Sequence, residues 1–429
     1  MIFKTRSAVS LVAVLLFGFA IGVGSTVYAD RHSIELSGNL PVDEIRQLAQ
    51  VIDRIKRAYV DEVDDDELIR NAIDGMLSGL DPHSSYLTPD DFSDLRESTS
   101  GRFGGLGIEV QMEDGLVKVV SPIDDTPAYH AGVRAGDLIS RLDGESVQGM
   151  SLNQAVDIMR GEPGTDITLT ILRGSETLEI TIERAIIQVT SIRSRMLEPG
   201  FGFVRISSFQ QNTGRDLARE IDSLKEEYGS DLRGLVLDLR NNPGGLLNAS
   251  VDVADVFLSE ELVVYTESRI PDSAHRYHAR RSTPYPDIPL VVLVNGGSAS
   301  ASEIVAGALQ DHGRAVILGT QSFGKGSVQT VLPLDNNSAL KLTTARYYTP
   351  AGQSIQAEGI TPDLVVRQGQ FAVDDMPLRR ERDLRGHLER LADEADMDPS
   401  ELDEEELINR DFQLYEALNL LKGLSILQR

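Results

Sequence analysis

The chain has 429 residues, and at about 150 residues per domain this length predicts two or three domains. Its composition, with 41% hydrophobic and 25% charged residues, is typical of a globular protein and argues against a mostly disordered chain. The formal net charge of −26 argues against nucleic acid as a partner, and the absence of cysteine excludes disulfides, thiol catalysis and cysteine-ligated zinc.

The first thirty residues have the features of an export signal. Lys4 and Arg6 precede an uncharged, mostly apolar run over residues 7–29, in which Val27 and Ala29 stand before the predicted cleavage point. This order predicts a signal peptide over residues 1–29 and an exported protein, periplasmic or otherwise extracytoplasmic. The apolar run is also long enough to span a bilayer, so an uncleaved signal would attach the protein to a membrane.

Residues 30–99 are predicted to form an N-terminal helical region. Apolar residues recur at spacings of three and four between Pro41 and Leu80, which is the period of an amphipathic helix. The segment 80–84 breaks this pattern. A further helix is predicted to start at Thr88, which can cap it, with Pro89 in its first position.

Residues 100–185 change to short predicted strands separated by glycines. A hairpin is expected over residues 107–120, an amphipathic helix over 151–160, and two more strands over 167–172 and 177–182. The segment has the size of one small β domain.

Residues 186–369 alternate between apolar strands and helices. Strands are predicted over 202–206, 234–238, 261–266, 290–294, 315–319 and 328–334, with helices over 214–227, 249–257 and 300–309. This alternation indicates an α/β core whose sheet is covered on both faces, and hence a multi-domain α/β protein.

Residues 370–429 are predicted to form a C-terminal helical region, with helical patterns over 379–392 and 404–422. The last part carries an apolar stripe made of Phe412, Tyr415, Leu418, Leu420, Leu421 and Leu424. The stripe is expected to pack on the main body or to form an oligomer interface that the N-terminal helices could share. We expect a homo-oligomer.

A serine stands at a predicted strand-to-helix turn. In the segment 295–303, Ser300 follows a buried strand and precedes a helix, whose N-terminal N–H groups favour negative charge. That position suits a nucleophile whose reaction passes through an oxyanion. The same residues also fit a capping box, with Ser300 as the cap and Glu303 three residues later.

A lysine between glycines offers a general base. Lys325 lies between Gly324 and Gly326, and a lysine held in a dry site can lose its proton and activate a serine without histidine or metal. The alternatives are a solvent-exposed turn lysine and a phosphate contact. The sequence around Lys325 lacks the spacing of a phosphate-binding P-loop.

A third motif, over residues 238–245, follows an apolar strand and ends in Pro243, Gly244 and Gly245. Such glycines can present N–H groups at the strand ends of an α/β sheet, where ligands bind. A simple turn would explain the same residues.

In this order, the segments 243–245, 297–303 and 323–329 resemble the motifs of the carboxyl-terminal processing peptidases, also called tail-specific proteases. The preceding β domain resembles a PDZ domain, so the resemblance covers nearly the whole chain after the signal. It implies a ClpP/crotonase-like α/β protease core and no cofactor.

The resemblance also implies roles for individual residues. Ser300 matches the nucleophile, Lys325 the general base and Gln329 the glutamine that orients the lysine amine. The N–H of Ala301, together with that of Gly244 or Gly245, would form the oxyanion hole. Ser298 and Ser302 are competing serines, and Glu303 is expected to support the helix start.

The segment 102–108 resembles the carboxylate-binding loop of PDZ domains, with Leu106, Gly107 and Ile108 as the expected contacts. The helix over 151–160 would form the other wall of the groove, and Arg160 would couple the PDZ domain to the active site. A glycine-rich hairpin start is the alternative.

Histidine offers two other candidate sites. His275 and His278 could suggest a metal, but no acidic cluster accompanies them, so no metal is expected. His312 could pair with Ser300, although a cationic residue is common at a helix end.

The prediction is an exported serine endopeptidase that binds apolar C-terminal tails of protein substrates and cleaves them through an acyl-enzyme. An adaptor or activator protein could assist it. The alternatives are a non-catalytic PDZ scaffold and a crotonase-like enzyme acting on a thioester.

Overall fold

The computed structural model describes residues 41–123, 125–270, 274–281, 284–369 and 411–427. The predicted signal peptide and the helix predicted over 379–392 lie outside these residues. The chain divides into two units, residues 1–76 and residues 77–429. No helix within the described ranges is long and apolar enough to cross a membrane.

The first unit contains helix α1 (Val42–Ala58) and most of helix α2 (Asp65–Ser78). Helix α1 has acidic residues in its first turn and basic residues in its last turn, which complements the helix dipole. None of its residues is buried, and its apolar residues Ile45, Leu48 and Val51 are exposed. The helical prediction for this region is therefore confirmed for residues 42–58 and 65–78.

The second unit opens with strand β1 (Ser85–Leu87), helix α3 (Pro89–Ser100) and strand β2 (Arg102–Gly105). Helix α3 begins as predicted. The Asp91 N–H donates to the Thr88 hydroxyl, and the Asp91 carboxylate accepts the Thr88 N–H in return. Gly101, in the left-handed region at φ 69°, ends the helix.

A small β domain follows. Its elements are β3 (Ile108–Glu113), β4 (Leu116–Pro122), α4 (Pro127–His130), β5 (Leu138–Leu142), β6 (Glu145–Ser146), α5 (Leu152–Met159), β7 (Asp166–Arg173), β8 (Glu176–Glu183) and β9 (Ala185–Gln188). The strands form an antiparallel sheet in the order β3-β4-β5-β7-β8, with β6 beside β5, while β2 pairs with β9. The sheet and helix α5 enclose one apolar core. Strand β3 lies at the edge of this sheet.

The remaining elements form the core of the second unit. They are β10 (Ile192–Glu198), β11 (Phe201–Ile206), α6 (Thr213–Tyr228), β12 (Gly234–Asp238), α7 (Leu247–Asp255), β13 (Leu262–Glu267), β14 (Arg276–His278), β15 (Leu290–Val294), α8 (Ala301–Asp311), β16 (Val316–Gly319), β17 (Ser327–Pro333), β18 (Ala339–Tyr348), β19 (Leu364–Val365) and α9 (Phe412–Leu427). The main sheet has the order β10-β11-β12-β15-β16-β19 and is parallel from β11 onwards.

The main sheet is covered on both faces, as the near-continuous apolar strands predict. One face packs under helices α6, α7 and α8. The other face packs under α9, which contacts β12, β15 and β16. The buried apolar residues of α9 are Leu414, Ala417, Leu418 and Leu421. Leu418 and Leu421 belong to the predicted stripe, and its member Leu420 is half-buried against the same cluster, so packing of the stripe on the main body is confirmed for these three residues. Leu414 and Ala417 were not part of the predicted stripe.

A second sheet, which the sequence analysis predicted only in part, has the order β1-β18-β13-β14, with β17 paired to β18. Strands β17 and β18 form an antiparallel hairpin in which Gln329 lies opposite Thr343 and Val331 opposite Lys341. Strand β1 pairs with the other edge of β18, with Ser85 opposite Lys341. This sheet places three distant segments of the chain beside Lys325.

Candidate active site

Ser300 lies at the turn between the buried strand β15 and helix α8, as predicted. Its backbone has φ 57° and ψ −112°, a conformation that few residues other than glycine adopt and that costs about 1–3 kcal/mol. The Ser300 N–H donates to the Glu303 carboxylate at 2.7 Å. The serine therefore sits at the helix N-terminus, where N–H groups and the helix dipole favour negative charge.

The two competing serines are held differently. Ser298 and Ser302 are fully buried, and their hydroxyls donate to the backbone carbonyls of Leu239 at 2.8 Å and Asn242 at 3.0 Å. Both hydroxyls connect the α8 turn to the segment after β12. They have a structural role in this arrangement.

Glu303 connects the serine turn to the lysine segment. Its buried carboxylate accepts the N–H groups of Gly324 at 2.6 Å and Lys325 at 2.9 Å, and also the Ser322 hydroxyl at 2.6 Å. The same carboxylate holds Ser300. Glu303 therefore does more than start helix α8, because it fixes the backbones of both predicted catalytic residues with one side chain.

The Lys325 amine is in an environment that favours its neutral form. Burial lowers the pKa of Lys325 below its usual range, and the charge of Lys341 lowers it further. The carboxylates of Asp81 and Glu303 act in the opposite direction. A lysine with a lowered pKa can act as a general base near neutral pH.

A buried tyrosine contacts both predicted catalytic residues. The Tyr347 hydroxyl donates to the Lys325 carbonyl and lies within hydrogen-bond reach of Ser300. Burial raises the pKa of Tyr347 well above its usual range, so the phenol stays protonated. The described side chains include no hydrogen bond between Ser300 and Lys325. Such bonds are often long in an unliganded active site.

The glycines after β12 lie against the serine turn. A Cβ on Gly244 would come within 2.8 Å of the Ser300 Cβ, and one on Gly245 within 2.2 Å of the Phe209 carbonyl oxygen. Both have positive φ, 106° and 146°. The Asn242 side chain accepts the Gly244 N–H at 2.9 Å, and the Asn242 carbonyl accepts the Ala299 N–H at 3.0 Å. The backbone after β12 can approach the serine turn and Phe209 this closely only because Gly244 and Gly245 lack a side chain.

The predicted catalytic residues line one cavity of about 450 Å³. Ser300, Lys325, Gln329 and Gly245 line it. The remaining wall is mostly apolar and includes Phe92, Leu95, Pro243, Leu246, Leu247, Ile304, Val328 and Val331. The Gln329 amide nitrogen donates to the hydroxyls of Ser327 at 3.0 Å and Thr343 at 3.3 Å. Three motifs that are far apart in the sequence therefore meet in one cavity.

The residues predicted to bind a peptide tail lie at the start of β3. Leu106 is buried, and Gly107 has φ 79° where a Cβ would meet the Thr126 side chain at 2.3 Å. Ile108 is the first residue of edge strand β3. Arg160 caps helix α5, pairs with Asp94 of α3 at 3.3 Å and stands over a phenylalanine ring.

The histidine alternatives lie outside the cavity. His312 caps the far end of α8 and binds the Leu262 carbonyl at 2.7 Å. His278 binds the Glu260 carbonyl. Within the described part of the chain, no group of three or more potential ligands could hold a metal.

Besides Tyr347, three residues beside Lys325 were not predicted from the sequence. Asp81 and His83, from the turn before β1, and Lys341, from β18, all act on or respond to its charge. Burial and then the charge of Lys325 lower the pKa of His83. The helix break at 80–84 was the available signal. Its proximity to Lys325 depends on the pairing of β1 with β18.

Comparisons with known proteins identify the domains of the chain. A sequence model described as "Peptidase family S41" matches residues 200–366, one described as "PDZ domain" matches 104–183, and one described as "Activating protease CtpB N-terminal domain" matches 25–90. A solved structure, the photosystem II D1 C-terminal processing protease, is 33% identical and aligns with a TM-score of 0.44, over 76% of this chain and 93% of that one.

Two curated relatives align over most of the chain. The "Carboxy-terminal-processing protease" of Bartonella bacilliformis is 49% identical over 386 residues, which cover 89% of this chain and 88% of the relative. The "Probable CtpA-like serine protease" of Staphylococcus haemolyticus is 36% identical over 372 residues, which cover 86% and 74%. The chain therefore belongs to the carboxy-terminal-processing proteases, serine peptidases of family S41 that carry a PDZ domain.

Proposed function

We propose that this protein is an exported serine endopeptidase that binds the C-terminal tails of protein substrates in its PDZ domain and cleaves them with a Ser300–Lys325 dyad. The observation that carries the proposal is the shared cavity, in which a strained serine at a helix N-terminus lies with a lysine of lowered pKa. Membership of a serine peptidase family favours this function over a PDZ scaffold or a thioester enzyme.

In the acylation step, the Ser300 oxygen forms a bond to the carbonyl carbon of the substrate while the neutral Lys325 amine takes the serine proton. The C–N bond then breaks, and Lys325 gives that proton to the departing amine. Water attacks the resulting ester, Lys325 takes a proton from the water, and the proton returns to Ser300 as the acid product leaves.

The oxyanion of each tetrahedral intermediate needs two donors. The Ala301 N–H follows the nucleophile at the start of α8, and no contact with another described group uses it. Gly245 is the better second donor, because Gly244 already donates its N–H to Asn242 and only Gly245 lines the cavity with Ser300. Donors placed in this way stabilise the charge that develops during the reaction.

The PDZ domain offers a place for a C-terminal tail. An extended peptide could add to the exposed edge of β3 next to Leu106 and Gly107, with α5 as the opposite wall. The apolar lining of the catalytic cavity suits an apolar substrate side chain.

Export and oligomerisation rest on other features. The proposal of export rests on the charge and the apolar pattern of residues 1–29 alone. The exposed apolar residues of α1 support a homo-oligomer. An adaptor or activator remains part of the proposal.

The test uses an unstructured substrate with an apolar C-terminus. We expect Ser300→Ala and Lys325→Ala to abolish cleavage by the mature chain, because each removes a group that the acylation step requires. His312→Ala is the control and should retain activity, since His312 is exposed at the far end of α8. Circular dichroism checks that each variant is folded.

A second substrate with an amidated C-terminus tests tail recognition. We expect slower cleavage of the amidated form, because an amide cannot replace the carboxylate in the loop before β3. Full activity of either Ser300→Ala or Lys325→Ala would rule out the dyad, and equal cleavage of the two substrates would rule out recognition of the tail carboxylate.

A further inference from the structure

Two hydrogen bonds tie the turn before β1 to strand β18. The Thr343 N–H donates to the hydroxyl of the buried Ser84 at 3.1 Å, and the Thr343 hydroxyl bonds to the Asp81 carboxylate at 3.1 Å. The β1–β18 ladder continues directly from this contact. Thr343 is therefore held on both its backbone and its side chain.

The charge on Asp81 sets the direction of the bond to Thr343. Burial alone would raise the pKa of Asp81, but hydrogen bonds from Ser84, His83 and Thr343 outweigh it and lower the pKa below its usual value. Asp81 is therefore a carboxylate at neutral pH and can only accept hydrogen bonds. The Thr343 hydroxyl must donate its proton to Asp81.

This direction determines the orientation of the Gln329 amide. Because the Thr343 proton points to Asp81, its oxygen can only accept, and it takes an N–H from Gln329 at 3.3 Å. The second N–H of the same amide donates to the Ser327 hydroxyl at 3.0 Å. A flipped amide would place its carbonyl against a hydroxyl oxygen that has no proton to give. The carbonyl oxygen is then what Gln329 can offer to the Lys325 amine.

We propose that Asp81 is a positioning residue for the catalytic lysine and acts through Thr343 and Gln329, a chain of side chains that we call the 81–343–329 relay. A Gln329 carbonyl that accepts one N–H of the amine restricts its rotation and keeps the nitrogen lone pair directed at Ser300. The relay rests on the proposed Ser300–Lys325 dyad. It makes a segment outside the three catalytic motifs part of the reaction.

The first experiment is a double-mutant cycle on the mature chain with the unstructured substrate. We expect Thr343→Val and Gln329→Ala each to lower kcat about tenfold, the equivalent of one hydrogen bond, with KM within about twofold of wild type. Because both act through the same amide, Thr343→Val should have no further effect on kcat in the Gln329→Ala background. Thr343→Ser, which keeps the hydroxyl, should restore most of the lost rate.

Thr344→Val is the matched control. Thr344 is the next residue of β18, and its hydroxyl bonds to Thr330 at 2.6 Å, outside the relay. The substitution removes the same atoms from the same strand, so a general loss of packing would affect both variants equally. We expect Thr344→Val to retain the kcat of the wild type.

Asp81→Asn gives an independent measurement if Thr343→Val does not fold. An asparagine can donate to Thr343, so the relay can reverse and the Gln329 amide can flip. We expect Asp81→Asn to lower kcat severalfold in the otherwise wild-type chain and to cause no further loss in the Gln329→Ala background. Removal of the charge should also move the acid limb of the pH profile to lower pH, because the Asp81 carboxylate raises the pKa of Lys325. Glu303 acts in the same direction as Asp81 and Lys341 acts in the opposite direction, while burial and the charge of Lys325 lower the pKa of the neighbouring His83.

The outcomes separate this proposal from the proposed function. The relay is wrong if Thr343→Val or Asp81→Asn lowers kcat by the same factor with and without Gln329, or if Thr344→Val loses as much activity as Thr343→Val. Wild-type kcat in Thr343→Val would also overturn it. If Ser300→Ala keeps its activity in the same assay, the dyad itself fails.

Discussion

Lys325 is subject to two opposing sets of charges. Lys341 lines the same cavity and repels the protonated amine, whereas Asp81 and Glu303 attract it. Burial adds to the effect of Lys341 and is the largest cause of the lowered pKa. The protonation state of the proposed general base therefore depends on residues that take no part in the proposed bond-making steps.

Replacing Lys341 by glutamine should move the pH dependence of cleavage. Without the neighbouring charge, the pKa of Lys325 rises, and because only the neutral amine can take the serine proton, the acid limb of kcat/KM shifts to higher pH. The rate at the alkaline plateau should remain close to that of the wild type. The measurement is kcat/KM across the pH range.

Lys225→Gln is the control for this prediction, because Lys225 lies in α6 and pairs with Asp231 outside the cavity. Its profile should match the wild type. A Lys341→Gln limb that stays in place or moves to lower pH would contradict the electrostatic argument.

At the residue scale, the sequence indicated the positions of Ser300 and Lys325 because glycines and a strand-to-helix turn are local features. Tyr347, Asp81 and Lys341 were not predicted. These residues matter because they lie close to Lys325, from which Asp81 is distant in the sequence. No local sequence pattern marks a tyrosine, an aspartate or a second lysine as close to a given lysine.

At the scale of elements, most strands and helices of the α/β core were predicted to within a few residues. Strand β18 was missed, although it pairs with β1, β13 and β17. Most of its residues are half-buried, so the strand lacks the alternation between buried and exposed residues that a sequence pattern detects. Its absence from the prediction also hid the position of β1.

Helix α9 covers one face of the main sheet. Leu421 is fully buried there among Leu418, Val236 and the phenylalanines of β11. Ile426 lies on the same helix but is 66% exposed. The helix therefore provides a buried and an exposed aliphatic residue for direct comparison.

Leu421→Ala should lower the free energy of unfolding by about 2–5 kcal/mol, because it leaves a cavity between α9 and the sheet. Ile426→Ala should change it by less than about 0.5 kcal/mol. Urea unfolding of the two variants measures the difference. Equal effects would mean that α9 does not pack on the sheet as described.

At the scale of the whole molecule, helix α3 contacts both the PDZ domain and the catalytic cavity. Arg160, at the end of α5, pairs with Asp94 and Glu97 on α3, while Leu95 of the same helix lines the cavity beside Ser300. This helix offers a physical path from the proposed tail-binding groove to the proposed dyad.

Arg160→Ala should weaken the dependence of cleavage on the tail. The relevant quantity is the ratio of cleavage rates for substrates with a free and an amidated C-terminus, and we expect it to fall toward one. Tail binding, measured by titration with a labelled peptide, should change little, because Arg160 acts after binding. Arg141→Ala, another arginine of the PDZ domain, should leave the ratio unchanged.

If the ratio of cleavage rates is unchanged in Arg160→Ala, Arg160 does not couple tail binding to cleavage. A parallel loss of peptide affinity would instead place Arg160 in the binding groove itself.

The sequence by itself determined the order of the domains, the α/β character of the core, the serine turn and the glycine-flanked lysine, because these depend on short-range periodicity and on backbone conformations that few residues allow. Only the tertiary structure decided that one carboxylate, Glu303, holds both the Ser300 turn and the Lys325 segment, and that the turn at Asp81 reaches Gln329 through β18. Those contacts join residues up to hundreds of positions apart, and their energies depend on burial and pairing that exist only once the sheets have formed.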